Sequence, residues 1–316
     1  MNAVVANLNS QIGSWSAKNF FWLIKRELWE HRGRFLITPL VIAAIFIFLT
    51  IYALVFKLHA VNIGAINLNG TGGDVVIHSP ARFLAYGSFA IAFFAVMVFV
   101  SAYYALDTLY ADRRDRSILF WKSLPVSDFE TVLSKLVVLT FVSPLIVIAI
   151  SIATQWIVFA AISIKLAANG QSFGLLWTEL PVVENVTLIL YAFVVVGLWL
   201  LPIHAWCLLA SAWAQRAVFL WATVPVGVLW FLEYQIFGTN YIGHLLRDRT
   251  IGVLPVAFSI PHGAMEGRKL DLSGMQLSDL LTPGVFFSSV QLWGGLLVAA
   301  ALIAATVWVR RYRETA

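Results

Sequence analysis

A single cysteine, Cys207, excludes an intramolecular disulfide and a thiolate metal cage. It lies inside an apolar stretch and reads as a small buried residue. Charge is scarce: 12% of the 316 residues are Asp, Glu, Lys or Arg, against the ~25% of soluble domains. No Gly-Lys pair occurs, so the Gly-rich loop whose amides cradle nucleotide phosphates is absent. No His-Glu-x-x-His pair is present to hold zinc. The apolar stretches are nearly bare of the ionisable groups that ion-coupled carriers keep at mid-membrane depth. His204 and Glu233 are the exceptions. His204 reads as a hydrogen-bonded packing residue or, alternatively, a proton carrier; Glu233 reads as solvated near an interface. No basic region opens the first ten residues, so no cleavable signal peptide is expected.

What remains is apolar. Sixty per cent of the chain is hydrophobic (60%) and mean hydropathy is +0.85, which makes this an integral membrane protein. The expected fold is all-α, with six transmembrane helices at about 35–56, 83–106, 136–164, 186–209, 218–237 and 285–309. The third is longer than a straight crossing needs, and Pro144 predicts a kink there. Pro202 and Pro225 fall inside the fourth and fifth.

Six spans put both ends of the membrane domain on one side. Fourteen of the 21 basic residues fall in 1–34, in 107–135, at Arg216 and in the 310–316 tail. The positive-inside rule therefore makes that side cytoplasmic. It also accounts for the pI of 9.4 without nucleic acid.

The segment 1–34 ends in an amphipathic stretch. Lys18, Lys25 and Arg32 recur every seven residues, while Phe20, Phe21, Ile24 and Leu28 share another side. Trp22 and Trp29 suit the headgroup zone, so an interfacial helix is expected here. A plain extension of the first span is the alternative. At the other end, 238–284 is rich in Gly, Pro and charge and too long for a simple connection. Its short apolar runs suggest re-entrant helices on the outer face; an ordinary external loop is the alternative. His78, His244 and His262 also fall on that face, without metal-ligand spacing.

The densest charge lies between the second and third spans. Asp112, Arg113, Arg114, Asp115 and Arg116 are followed by the apolar run Ile118 to Trp121. Pro125 stops any helix there, and Ser127 with Glu130 reads as a capping box opening the next one. A short helix of this kind between two spans is a good shape for docking a soluble partner.

Here the chain resembles the permease subunits of the ABC-2 type transporter family. The resemblance is carried by Leu109-Tyr-Ala-Asp-Arg-Arg-Asp-Arg-Ser-Ile-Leu-Phe-Trp-Lys-Ser-Leu-Pro-Val-Ser-Asp128 and by Ile24-Lys-Arg-Glu-Leu-Trp-Glu30. It implies an exporter in the bacterial inner membrane, without a catalytic residue, metal or cofactor on this chain. Two cytoplasmic ATP-binding subunits would carry ATP and Mg, and a second permease copy or paralogue would complete the dimer. It further implies a cytoplasmic coupling helix between spans 2 and 3. Phe120 and Trp121 would anchor in a groove of the ATPase, and Arg113, Arg114 and Arg116 would meet its acidic rim. Topology signalling and headgroup contact are the other reading of these arginines. The remaining readings of the chain are an ion-gradient-driven carrier and a membrane enzyme or assembly scaffold.

Overall fold

A computed structural model describes residues 17–56, 62–63, 66–67, 79–115, 126–170, 172–174, 177, 182–259 and 281–312. Residues 17, 62–63, 66–67, 79–91 and 182–184 are described by their backbone alone. Six helices among them are long and apolar enough to cross a membrane, so the chain is a multi-pass, predominantly helical membrane protein. A two-residue pairing of β1 (Asn62–Ile63) with β2 (Ile66–Asn67) is the one sheet among the described residues.

Helix α1 (Ala17–Glu30) precedes the first crossing helix, α2 (Thr38–Phe56). The second, α3 (Ser79–Arg114), runs on past the expected boundary at 106. Residues 107–114, expected in a loop, are therefore helical. The third is α4 (Asp128–Val137) continued as α5 (Ser143–Ala168), so it begins before the expected 136. Then come α6 (Val182–Trp213), α7 (Val218–Phe237), α8 (Tyr241–Thr250), α9 (Val253–Ala257), α10 (Pro283–Ser288) and α11 (Val290–Tyr312). We call the end of the bundle that carries Ala17 and Tyr312 proximal and the opposite end distal.

Two π-helical stretches, Gly33–Ile37 and Val138–Val142, lead into α2 and α5. Each is followed two residues later by a proline, Pro39 or Pro144. A proline ring presses on the carbonyl four residues back, which is that of Phe35 or Thr140. Both carbonyls lie inside a widened turn, which moves them clear. The feature expected at Pro144 is thus a π bulge just before it. Gly197 of α6 approaches at this point; a Cβ there would lie 3.4 Å from the Thr140 carbonyl oxygen.

The core has two main parts. Phe35, Tyr104, Leu109, Val138, Leu139 and Leu208 fill the proximal one. Phe93, Met97, Val147, Trp199, Phe286 and Leu292 fill the distal one. Helix α6 lies between α3 and α11, and Trp199 is its fully buried centre. Most of α7 faces outward, with Phe219, Trp221, Leu229, Trp230 and Phe237 exposed, as suits a helix against hydrocarbon.

The α6–α7 turn holds Ala217 at φ 49°, in the left-handed region. A Cβ is unfavourable there by about 1–2 kcal/mol. Ala217→Gly is therefore expected to stabilise the protein by about 1 kcal/mol, read as a higher unfolding temperature in detergent.

Candidate functional site

The polar architecture of the proximal end is built on four helices, α1, α3, α4 and α11. Tyr104, Thr108 and Asp112 recur every four residues along α3 and so form one stripe. Lys135 of α4 meets this stripe. Its ammonium donates to Thr108 Oγ1 at 2.8 Å and to Glu27 Oε1 of α1 at 2.9 Å, and lies 3.3 Å from Asp112 Oδ2. The Tyr104 hydroxyl donates to the other Glu27 oxygen at 2.8 Å. Arg310 of α11 closes the cluster, with Nη1 3.3 Å from Asp112 Oδ2 and Nε 3.0 Å from Asp128 Oδ1. Glu27 and Lys135 are each 1% exposed, Asp112 4% and Arg310 6%. Buried charge is tolerated only where it is paired. Here Glu27, Asp112 and Asp128 face Lys135 and Arg310, with Arg26 Nη1 a further cation 3.7 Å from Glu27.

This cluster corrects one expectation: Lys135, counted as a loop charge, is a buried ion-pair partner. The packed side of α1 includes Leu23 and Glu27, while Phe21 is exposed. Lys135 can be buried because α1 and α3 supply oxygens on three of its sides.

The loop between α3 and α4 is rooted in this cluster on both sides. Asp112 holds its incoming root and Asp128 its outgoing root, with Arg310 on both. The outgoing root carries the expected capping box: Glu130 N donates to Ser127 Oγ at 3.1 Å, and Ser127 N donates to Glu130 Oε2 at 2.8 Å.

Of the residues assigned to partner docking, the structure describes two. Arg113 turns back into the bundle, where Nη2 donates to the carbonyls of Ser211 and Ala214, both at 2.6 Å. It satisfies carbonyls at the end of α6 that the helix leaves unpaired. Arg114 points outward, half-exposed, with Nε 2.9 Å from Asp115 Oδ1. Arg116, Phe120 and Trp121 lie outside the described residues.

Acidity at the cluster is shifted. Burial pushes the Glu27 carboxyl up, but the Lys135 ammonium, its hydrogen bond and Arg26 outweigh this and hold it below the usual range. His31 lies 3.7 Å from Glu27 and packs edge-on to Tyr104. Burial pushes its pKa down, with Arg34 and Lys135 acting the same way against Glu27 and Asp107. Both groups bind protons more weakly when folded, so the unfolded chain takes up protons first as pH falls. Their stabilisation is complete above the unfolded values of 6.5 and 4.5 and is lost on acidification. The unfolding temperature in detergent should fall as pH drops through the first value and again below the second. His31→Phe should flatten the upper limb alone.

At the distal end the chain folds back on the bundle. Glu233 of α7 accepts from Thr239 Oγ1 at 2.9 Å and from the amides of Tyr241 and Ile242. It therefore caps the start of α8, a specific role added to the solvated one expected. Helices α8 and α9 then reach the middle of α6, where Trp199 Nε1 donates to the Asp248 carbonyl at 3.1 Å. The Arg249 guanidinium lies 5.0 Å over the Trp199 ring and donates to the Gln291 carbonyl. Tyr191 OH donates to the Ala257 carbonyl at 2.9 Å.

The other candidates stay separate. His204 is buried, and its Nδ1 has no hydrogen-bond partner among the described residues. His244 is exposed on α8, and His78 and His262 lie outside the described residues. No group of three or more His, Cys, Asp or Glu able to hold a metal occurs among the described residues. Gly170-Gln-Ser-Phe-Gly174 has the spacing of a serine nucleophile elbow, which sequence reasoning overlooked. That elbow requires a strand running into a helix. Here the segment follows the end of α5, with Gly170 at φ 82° ending the helix.

No family model, no curated protein and no solved structure matches this chain.

Proposed function

We propose that this chain is the transmembrane permease subunit of an ATP-driven ABC-2 type exporter in the bacterial inner membrane. Both ends of the membrane domain face the cytoplasm, and α1 lies along the cytoplasmic surface. Two copies of a separate ATP-binding subunit grip the loop between α3 and α4. A second permease copy or paralogue completes the pathway, which alternates its access between the two faces.

One observation carries this reading: both roots of the loop are bound through Arg310 and Lys135 to α1 and α11. A force applied to a segment rooted this way is passed to four helices, α1, α3, α4 and α11. Coupling needs such a continuous, stiff connection between two arrangements. Two further features support the reading: no Gly-Lys pair for a phosphate-binding loop occurs in the sequence, so the proposal assigns ATP hydrolysis to a partner, and the 109–128 pattern resembles the docking segment of ABC-2 permeases.

The test is affinity purification of the chain in mild detergent from its native host, followed by mass spectrometry and a vanadate-sensitive transport assay. A stoichiometric soluble ATP-binding subunit is expected. A folded, monodisperse preparation that brings none down sinks the proposal. Arg114→Glu should then weaken co-purification without changing the unfolding temperature. Arg113 is unsuitable for this purpose, because its reversal would also strip the end of α6.

The buried carboxylates Glu27 and Asp112 favour a second reading, a carrier driven by an ion gradient. It requires transport by the chain alone, collapsed by an uncoupler.

A further inference from the structure

Between α3, α5, α6 and the α8–α9 segment lies a cavity of about 460 Å³. Phe93 and Met97 of α3, Val147 of α5, Val196 of α6 and Leu254 of α9 line it. It sits about 20 Å from the Asp112–Thr108 level, judged along α3 at 1.5 Å per residue, and so within the apolar part of the bundle. Among the described residues, Ser151 and Thr250 contribute the only hydroxyls to its lining. The Thr250 hydroxyl serves the carbonyls of Leu246 and Arg247 in its own helix.

Such a lining sets the occupant. Water needs two or more polar partners in a cavity, and apolar cavities stay dry. A polar solute would lose its own hydrogen bonds there. The volume falls in the range of sites that take organic ligands (~300–1,000 Å³). At this depth in a bilayer the available apolar material is hydrocarbon chain. Charge one helical turn from the lining adds a second constraint. Arg247 is exposed and lies three residues before Thr250, hence on the same side of α8 and nearer its distal start. An anionic headgroup at Arg247 would leave a tail running inward past Thr250.

We propose that this cavity holds one acyl tail of an anionic phospholipid, with its phosphate at Arg247. The site stands independently of what energises the chain, since it lies wholly within one copy of the permease.

The experiment uses the full chain in nanodiscs containing phosphatidylglycerol with a diazirine near the end of one tail. After irradiation, labelled peptides are mapped by mass spectrometry. Label is expected on 93–98, 147–151, 189–200 and 250–258, well above that on outward residues of α7 such as Leu229. Ala192→Phe places a ring in the cavity and should abolish the cavity label while the α7 label persists. Arg247→Gln should lower the cavity label for phosphatidylglycerol towards that of phosphatidylcholine with the same tail. The unfolding temperature of each variant is read in parallel, and the wild-type map needs no variant. Cavity peptides at the level of α7 overturn the proposal, as does labelling by a diazirine fatty acid but not by the phospholipid. Equal labelling by both phospholipids overturns the assignment of Arg247.

Discussion

Lys135→Met is expected to cost about 3–5 kcal/mol of stability, the range for removing one member of a buried ion pair. Among the described residues the ammonium is the only cation within 3 Å of Glu27, and it also holds Asp112. Without it, Glu27 and Asp112, 1% and 4% exposed, lose the ammonium they share; Asp112 keeps Arg310, while Glu27 is left with the Tyr104 hydroxyl and the more distant Arg26. Methionine keeps the length of the side chain, so lost packing is a minor part of the effect. The effect is specific to charge, and a second substitution shows this. Glu27→Gln removes one of the orphaned charges while retaining an acceptor for Tyr104. The double variant should recover part of the loss, so that the combined cost is less than the sum of the single ones. Thermal unfolding of all four proteins in one detergent measures it. Strict additivity would mean that Lys135 and Glu27 do not interact. Arg114→Ala, at an exposed pair, should leave the unfolding temperature unchanged.

This pair also marks where the sequence was readable and where it was not. The crossing helices could be located because an uncharged run of about twenty residues has few fates other than a bilayer. The capping box at Ser127 and Glu130 was equally legible, since both partners lie within one turn. Glu27 and Lys135 are 108 residues apart in the chain. Each taken alone suits a solvated helix face, and the count of basic residues assigned Lys135 to topology. Their meeting depends on how α1 lies across α4, which local pattern does not encode. One signal was available: Tyr104, Thr108 and Asp112 form a polar stripe on an otherwise apolar helix. Such a stripe needs a partner, and the nearest strong donor beyond the loop is Lys135. Arg113 was obscured differently. Its role depends on the unpaired carbonyls at the end of α6, about a hundred residues away.

Arg310 yields the second large effect, and here stability and coupling separate. Its guanidinium bridges Asp112 and Asp128, one on each root of the loop. Arg310→Leu is expected to cost about 3 kcal/mol, the lower end for a buried pair. Asp112 keeps Lys135, and Asp128 is partly exposed at the start of α4, where the helix dipole favours a carboxylate. The more telling readout is local. Amides of 126–137 should exchange hydrogen faster, while those of 97–106, packed around Tyr104, keep their protection. Arg310→Lys retains the charge but reaches one carboxylate at a time. It should restore much of the stability and little of the protection at the loop root. If the proposed ATP-binding partner is present, the same variant should hydrolyse ATP at the wild-type rate and move less substrate per ATP. A fall in hydrolysis and transport together would instead place Arg310 in the folding of the interface. A rigid bridge and a merely charged one thus predict different outcomes for a single conservative substitution.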